Sequence, residues 1–352
     1  MDNLMWLVRE HLGEDAELLA RDSAAVRGLP AAAGMLRGGL HPDEVARAVR
    51  RTRARVVHAH NLHPTFGWRA LAAARDAGAA VVLHLHQYRM VCAIGICFRD
   101  GHECTRCHAR NTLPGVLRNC RGSVPEAVTY GAALALWQRR MAAQVDTFLV
   151  PSRFAQARLQ DLGAPVPDSV VLPTAMRELA LEPGGTPGGH ALITSRLVPE
   201  KGIEVAIEAC RIAGLPLVVA GDGPERARLD RRRPDVRFVG RIPASELPEL
   251  RRGAALALVP SLVAENLPLA AAEAMAAGLP VAASRVGGLP ELVPEPWLAP
   301  PDDPTALADV IAGIIADRTA GARALARARE VISPEVIAPA LAAIYDDAAA
   351  RR

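Results

Sequence analysis

The chain has 352 residues, 50% hydrophobic but only 3% aromatic, with 22% charged and a formal net charge of +3 at pH 7. That length suits two domains of ordinary size, each with its own Ala/Leu/Val-rich core. The charge is mild, and the basic runs Arg50-Arg51-Thr52-Arg53 and Arg231-Arg232-Arg233 read as solvated surface, so no nucleic-acid groove is indicated. No apolar run approaches the ~18 residues of a membrane span, and Met1-Asp2-Asn3 does not open a signal peptide. The chain therefore reads as cytoplasmic, with a peripheral contact to a membrane surface left open.

Residues 2–13, DNLMWLVREHLG, read as a helix with apolar Leu4, Met5, Leu7, Val8 and Leu12, and residues 16–20 as a short strand. A doubly wound domain normally begins with a strand. This order enters a βαβ unit part-way, so the expectation is a start lying upstream or a truncated chain. A helix over 42–51 follows, then a strand over 56–59 ending at His60-Asn61, a helix over 66–77 and a strand over 80–85 that delivers His86. Alternation at these lengths implies a parallel sheet with its site at the carboxyl ends of the strands. His60 and His86 fall at such ends. A lone histidine there is commonly a hydrogen-bonded structural residue, whereas two at adjacent strand ends favour a site.

Five of the six cysteines, Cys92, Cys97, Cys104, Cys107 and Cys120, crowd into 29 residues that also hold His102 and His108. The Cys104-Cys107 pair with flanking Cys92 and Cys120 can close on a tetrahedral zinc and staple a loop poor in core; the alternative is a set of reduced thiols without metal. A long helix over 124–145, a strand over 147–150 ending in Pro151-Ser152-Arg153-Phe154, a helix from Ala155 and a strand over 170–172 complete this half. The Pro/Gly-rich stretch 173–189, with PGGTPGG at its end, marks a boundary. The expected organisation is a first domain over 1–175 with the Cys-rich insertion 92–120, a linker over 176–190, a second domain over 191–333 and a terminal helical segment over 334–352.

The second half opens with a strand over 191–194, the loop SRLVPEKG and a helix from Ile203. Arg196 and Lys201, five apart between a strand end and a helix N-terminus, can both reach a diphosphate, with helix-end amides adding to their field; two solvated loop cations are the plain alternative. A strand over 217–220 delivers the Gly221-Asp222-Gly223-Pro224 turn, whose glycines allow close approach. Strands over 236–239, 255–259 and 281–283 deliver Gly240-Arg241, Pro260-Ser261 and Gly287-Gly288. Helices follow over 305–315, 320–331 and 334–348.

Between the last two strands, residues 268–277 read as a helix: Pro268 suits its first position, Ala, Leu and Met fill the body, and Gly278 and Pro280 stop it. A short helix apolar all round is usually buried, and its only polar residue, Glu273, is a carboxylate that such a place disfavours unless something pairs with it. The hydroxyl pair of a ligand would do so. Glu265 stands eight residues earlier, followed by the amides of Asn266, Leu267 and Leu269 at a helix N-terminus that favours an anion. The two acids suggest a polyhydroxy ligand with a phosphate beside it; the alternative is a solvated helix-start acid and a core acid bonded to backbone.

The run ENLPLAAAEAMAAGLPVAASRVGGLPEL closely resembles the E-x7-E segment of family 4 retaining glycosyltransferases, enzymes of the two-Rossmann GT-B fold that use nucleotide sugars. The resemblance implies an α/β architecture of two Rossmann-like doubly wound domains facing a cleft, the N-terminal one incomplete for want of the family's first strand and Gly-rich loop. It places Glu265 near the donor sugar hydroxyls and Glu273 on the ribose. Arg196 and Lys201 match the family's R-x4-K-G pair, which binds the donor phosphates and stabilises the leaving nucleoside diphosphate, and Gly240-Arg241 matches the backbone that passes along the nucleobase. LHLHQYRMVC resembles the family's strand-end region, where His86 would sit beside donor sugar and acceptor, with Gln87 standing where an acid is common.

A subset of the family carries a similar Cys-rich insertion, and its terminal helix crosses back over the first domain. The implied reaction moves a sugar from a nucleotide-diphosphate donor to an acceptor hydroxyl with retention, needing no metal for catalysis. The acceptor, whether glycan, lipid-linked or a small molecule, is unspecified. Two other readings share the architecture, a nucleotide-sugar epimerase or phosphorylase and an inactive, truncated nucleotide-sugar-binding paralogue.

Overall fold

A strand such as Ala80–His84, buried at every position, is built to lie between helices in a parallel sheet rather than at a solvated surface. The computed structural model of the chain describes residues 2–352 other than 14, 23–25, 27, 167, 178, 185–188 and 234. It divides into two units, one of Met1–Arg99, Glu103–Pro173 and Ala338–Arg352, the other of Asp100–His102 and Thr174–Ile337.

The chain up to Pro173, which but for Asp100–His102 belongs to the first unit, runs α1 (Asp2–His11), α2 (Leu29–Arg37), α3 (Pro42–Thr52), β1 (Val56–His60), α4 (Gly67–Asp76), β2 (Ala80–His84), the short β3 (Phe98–Arg99) and β4 (His102–Glu103), α5 (Leu113–Leu117), α6 (Val124–Ala142), β5 (Thr147–Val150), α7 (Arg153–Asp161) and β6 (Val170–Val171). Its parallel sheet has the order β1-β2-β5-β6. Helix starts carry their local signals: Pro42 with Asp43 and Glu44 opens α3, and the Ser152 hydroxyl accepts from the Ala155 amide at the head of α7 at 3.1 Å. The expected strand over 16–20 does not form. Its described residues run without regular structure, with Leu18 and Leu19 exposed at 45% and 39%, so no core face holds them in a sheet.

The second unit runs β7 (His190–Thr194), a 3-10 turn (Pro199–Lys201), α8 (Ile203–Ala213), β8 (Leu217–Ala220), α9 (Arg226–Arg232), β9 (Arg237–Gly240), α10 (Leu247–Arg252), β10 (Ala254–Val259), α11 (Leu269–Ala276), β11 (Val281–Ser284), α12 (Leu289–Leu292), β12 (Leu298–Ala299), α13 (Pro304–Ala316) and α14 (Ala320–Ile332). The parallel order is β12-β11-β10-β7-β8-β9. The last helix, α15 (Pro334–Ala350), begins in this unit and continues, from Ala338, in the first. There Arg352 reaches Asp146 at 3.4 Å and the Tyr345 hydroxyl meets His58 at 2.8 Å.

The stretch 176–190 is not free chain where it is described. The amides of Met176, Ala180 and Gly184 donate to Ile332, Ala276 and Gly278 at 2.9, 2.7 and 3.0 Å, binding it along the second unit. Residues 185–188, within PGGTPGG, and residue 178 lie outside the described residues.

Leu192 sits on β7, in the middle of the six-stranded sheet, with 1% exposure. Leu192→Ala is expected to lower the stability of the second unit by about 2–5 kcal/mol through lost transfer energy and a residual cavity. Urea unfolding checks it, and a midpoint equal to the parent's would remove this strand from the core.

Candidate functional site

In the second sheet the chain proceeds outward from β7 to β8 and β9 on one side and from β10 to β11 and β12 on the other. The order therefore reverses between β7 and β10, and the loops leaving their carboxyl ends part there, where open parallel sheets hold ligands. Backbone hydrogen bonds stitch these loops to their neighbours: Leu197 to Asp222 at 2.9 Å, Leu262 to Glu200 at 2.9 Å and Gly288 to Glu265 at 2.8 Å. Two glycines set the approach. A Cβ on Gly202, at φ 63°, would lie 2.0 Å from the Pro260 carbonyl oxygen, and one on Gly287, at φ 60°, would lie 2.2 Å from that of Glu265. Only glycine combines that backbone with that closeness.

Within this frame the Lys201 ammonium donates to the Glu265 carboxylate at 2.7 Å, with 22% and 16% of the two side chains exposed. The other Glu265 oxygen accepts from the Ser261 hydroxyl. A cation and an acid drawn from separate motifs thus meet at the switch point. Ser261 had been read only as the end of a strand; its spacing of four from Glu265 was the available signal. Arg196 stands exposed on the same loop as Lys201.

Asn266, next in sequence to Glu265, has both side-chain amide atoms buried and without a hydrogen-bond partner among the described residues. A buried primary amide left wholly unsatisfied is rare and demands an occupant for its donor and acceptor. Leu267 is partly buried and Leu269, the first residue of α11, is 49% exposed. Pro268 is the N-cap of this helix rather than its first residue. Gly221 and Gly223 lie against the carbonyls of Ser195 and Leu197, and the Gly221 amide donates to Gly240 at 2.7 Å. Arg241 is exposed beyond it.

Glu273 requires a correction. It was expected as a lone buried carboxylate in an oily helix, but its side chain is 43% exposed and forms an ion pair with Arg251 of α10. The residues around it on α11, Ala271, Ala272, Ala274, Met275 and Ala276, are buried as expected, so Glu273 occupies the one flank that α10 reaches. The sequence reading missed α10, and with it Arg251. The run LPELRR, with Pro at the second position, an acid in the first turn and basic residues in the last, carried the signal.

In the first unit, His86 follows β2 and its Nε2 lies 2.7 Å from Nδ1 of His60. The pairing register sets His60 opposite His84, and the two-residue period of strands puts His58 and His86 on the same face. The four rings stack in a group with nearest centroids 4.3–5.0 Å apart. Burial holds them uncharged: it pushes His86 down to about 4, His58 to about 3 and His60 to about 2, and lowers His84 well below the ordinary imidazole value. His58 and His84 lie within β1 and β2, two residues before the strand-end His60 and His86, and the alternating pairs 58/60 and 84/86 are the sequence signal for them.

Cys92, Cys104, Cys107 and Cys120 line one cavity together with Cys97, and all are free thiols. Cys92 is engaged by the Cys97 thiol, a hydrogen bond that draws it down to about 6, while burial pushes Cys107 up to about 11. Among the described residues, the only group of three whose ligand atoms lie within 4.8 Å of one another is His58, His60 and His84. No helix among them is long and apolar enough to cross a membrane.

Residues 6–175 match the glycosyl transferase 4-like domain and residues 189–317 match glycosyl transferases group 1. The amylovoran biosynthesis glycosyltransferase AmsK of Erwinia amylovora is 34% identical over 195 residues, 49% of this chain and 48% of that protein. The putative colanic acid biosynthesis glycosyltransferase WcaL of Escherichia coli is 32% identical over 190 residues, 47% of each. The aligned region thus spans about half the length of these curated relatives. Anabaena Alr3699/HepE, solved in complex with UDP, superposes with a TM-score of 0.61 over 87% of this chain and 81% of that one at 18% identity, a likeness of fold. The two domain matches, standing side by side over most of the chain, place it among the glycosyltransferases of GT-B fold.

Proposed function

We propose that the chain is a retaining glycosyltransferase that moves a sugar from a nucleotide-diphosphate donor to an acceptor hydroxyl. The observation that carries the reading is the Lys201–Glu265 contact at the switch point of the second sheet, with the unpartnered Asn266 amide beside it. A donor diphosphate belongs against Lys201 and Arg196, with the amides at the head of α11 adding partial positive charge. Cleavage of the bond from the sugar to phosphate leaves negative charge on the leaving diphosphate, so cations fixed there stabilise the transition state more than the ground state.

Glu265 is steadied by Ser261 and can exchange part of its bond to Lys201 for hydrogen bonds from sugar hydroxyls. Asn266 supplies a donor and an acceptor to the same ligand. Glu273 accepts from the ribose while Arg251 holds it in place. The Gly221-Gly223 turn and the Gly240-Arg241 backbone give the nucleotide close approach. His86, uncharged at neutral pH, keeps the orienting role that the resemblance assigns it. Retention rests on that resemblance. A nucleotide-sugar donor gains support from the Anabaena neighbour, solved with UDP and also with UDP-glucose. The acceptor is an alcohol whose class the donor half does not define.

The test is calorimetric titration with a panel of nucleotide sugars, followed by donor-hydrolysis and transfer assays with product stereochemistry. Binding with turnover and a retained anomeric configuration is expected; no binding to any member overturns the reading, and binding without turnover turns it into a binding protein. Lys201→Met is expected to reduce kcat by about 100- to 1000-fold, the scale for losing one transition-state charge partner; an unchanged kcat would remove Lys201 from the phosphate site. Glu273→Ala should weaken nucleotide binding by about 1–3 kcal/mol, and an unchanged Kd would show that the ribose lies elsewhere. Asn266→Ala deletes a side chain that satisfies nothing in the protein itself, so the thermal midpoint should stay level or rise while donor affinity falls by about tenfold. A fall in stability with unaltered donor affinity would give Asn266 a structural role instead.

A further inference from the structure

The histidine ladder of the first unit has a property that neither packing nor the proposed reaction accounts for. His58 uses Nδ1 to meet the Tyr345 hydroxyl at 2.8 Å, and His60 uses Nδ1 to meet His86 at 2.7 Å. In His58, His60 and His84 alike, Nε2 is buried and has no hydrogen-bond partner among the described residues. Three unsatisfied ring nitrogens side by side are costly in either tautomer: a buried N–H lacks an acceptor, or a buried lone pair lacks a donor. His84 is itself only 6% exposed, so bulk solvent does not reach it.

We propose that His58, His60 and His84 form a binding site for a divalent, imidazole-preferring metal ion of the zinc class. One ring nitrogen from each lies within 4.8 Å of the others. Bonds of about 2.0–2.1 Å to a tetrahedral ion bring ligand nitrogens to about 3.3 Å apart, so binding would draw the three rings closer together. The outer contacts fit the same role. A ligating histidine usually gives its second ring N–H to a fixed acceptor, which sets the tautomer; Tyr345 is that acceptor for His58, and His86 for His60.

Three protein ligands leave a fourth position for water or an exogenous group. The site uses Nε2 of all three rings, with Tyr345 and His86 as outer partners. It stands on the first unit alone, so it holds whichever reaction the chain catalyses.

The full chain, stripped by chelator, is dialysed against zinc and freed of excess. One zinc per chain is expected to remain, with an X-ray absorption first shell of nitrogen or oxygen at about 2.0–2.1 Å and imidazole scattering beyond it, against about 2.3 Å for thiolate sulfur. His84→Phe keeps an aromatic ring in the stack but removes a ligand, and should abolish retention. Tyr345→Phe should weaken zinc about tenfold, as loss of an outer partner does, and His102→Phe, at an exposed position, should change nothing. Circular dichroism reports whether each variant folds. No retained zinc, a first shell of sulfur alone, or full retention by folded His84→Phe would each overturn the site; if His84→Phe does not fold, the absorption spectrum of the parent chain decides.

Discussion

The donor half of the molecule depends on one contact, the ammonium of Lys201 against the carboxylate of Glu265. It is possible only because two loops from neighbouring strands approach at backbone distance, which Gly202 and Gly287 allow where any side chain would collide with a carbonyl. The topology supplies the rest. β7 and β10 are adjacent in the sheet yet their loops lead to opposite sides, so a cation fixed after one strand and an acid fixed after the other meet at the same point. Neither motif would form a site on a sheet wound in a single direction, and that makes the strand order as much a determinant of chemistry as the side chains.

Much of this was legible because the second half obeys local rules. Strands of apolar, β-branched character end at Gly, Pro or Ser, helices start at Pro or Gly, and the two loop motifs sit at the ends of strands whose limits fall within a residue or two of the structure. What escaped the sequence was mostly partnership across elements. The carboxylate of Glu273 looked isolated because its neighbour comes from α10, a six-residue helix too short to show a hydrophobic period. Residues 16–20 alternate weakly and look like a strand, yet nothing in the chain's local pattern says whether a sheet edge is there to receive them; Leu18 and Leu19 end up exposed.

The histidines show a related limit. Each alone carried an ordinary expectation, and only the register between β1 and β2 reveals that four of them share one face. The cysteines went the other way. Their crowding in sequence is kept in space: all five line one cavity, with Cys92 turned to Cys97, although spacing along a chain fixes neighbourhood and not the direction of a thiol.

Lys201 and Glu265 also satisfy one another. A partly buried ammonium without a partner would be costly, and the same holds for the carboxylate; joined, and with Ser261 on the second oxygen, both have partners within the protein. In the proposed reaction a diphosphate would add an acceptor to a cation already in place, and sugar hydroxyls would add donors to an acid already in place, so binding would exchange contacts without uncovering a bare charge. Asn266 differs in kind. Its amide lies buried with nothing to hold, beside a pair that is complete, so the neutral group rather than either ion is the part of the loop that gains most from an occupant. An anion alone would satisfy the lysine and leave that amide unmet; a ligand presenting hydroxyls next to a phosphate would meet both, as the proposed donor does.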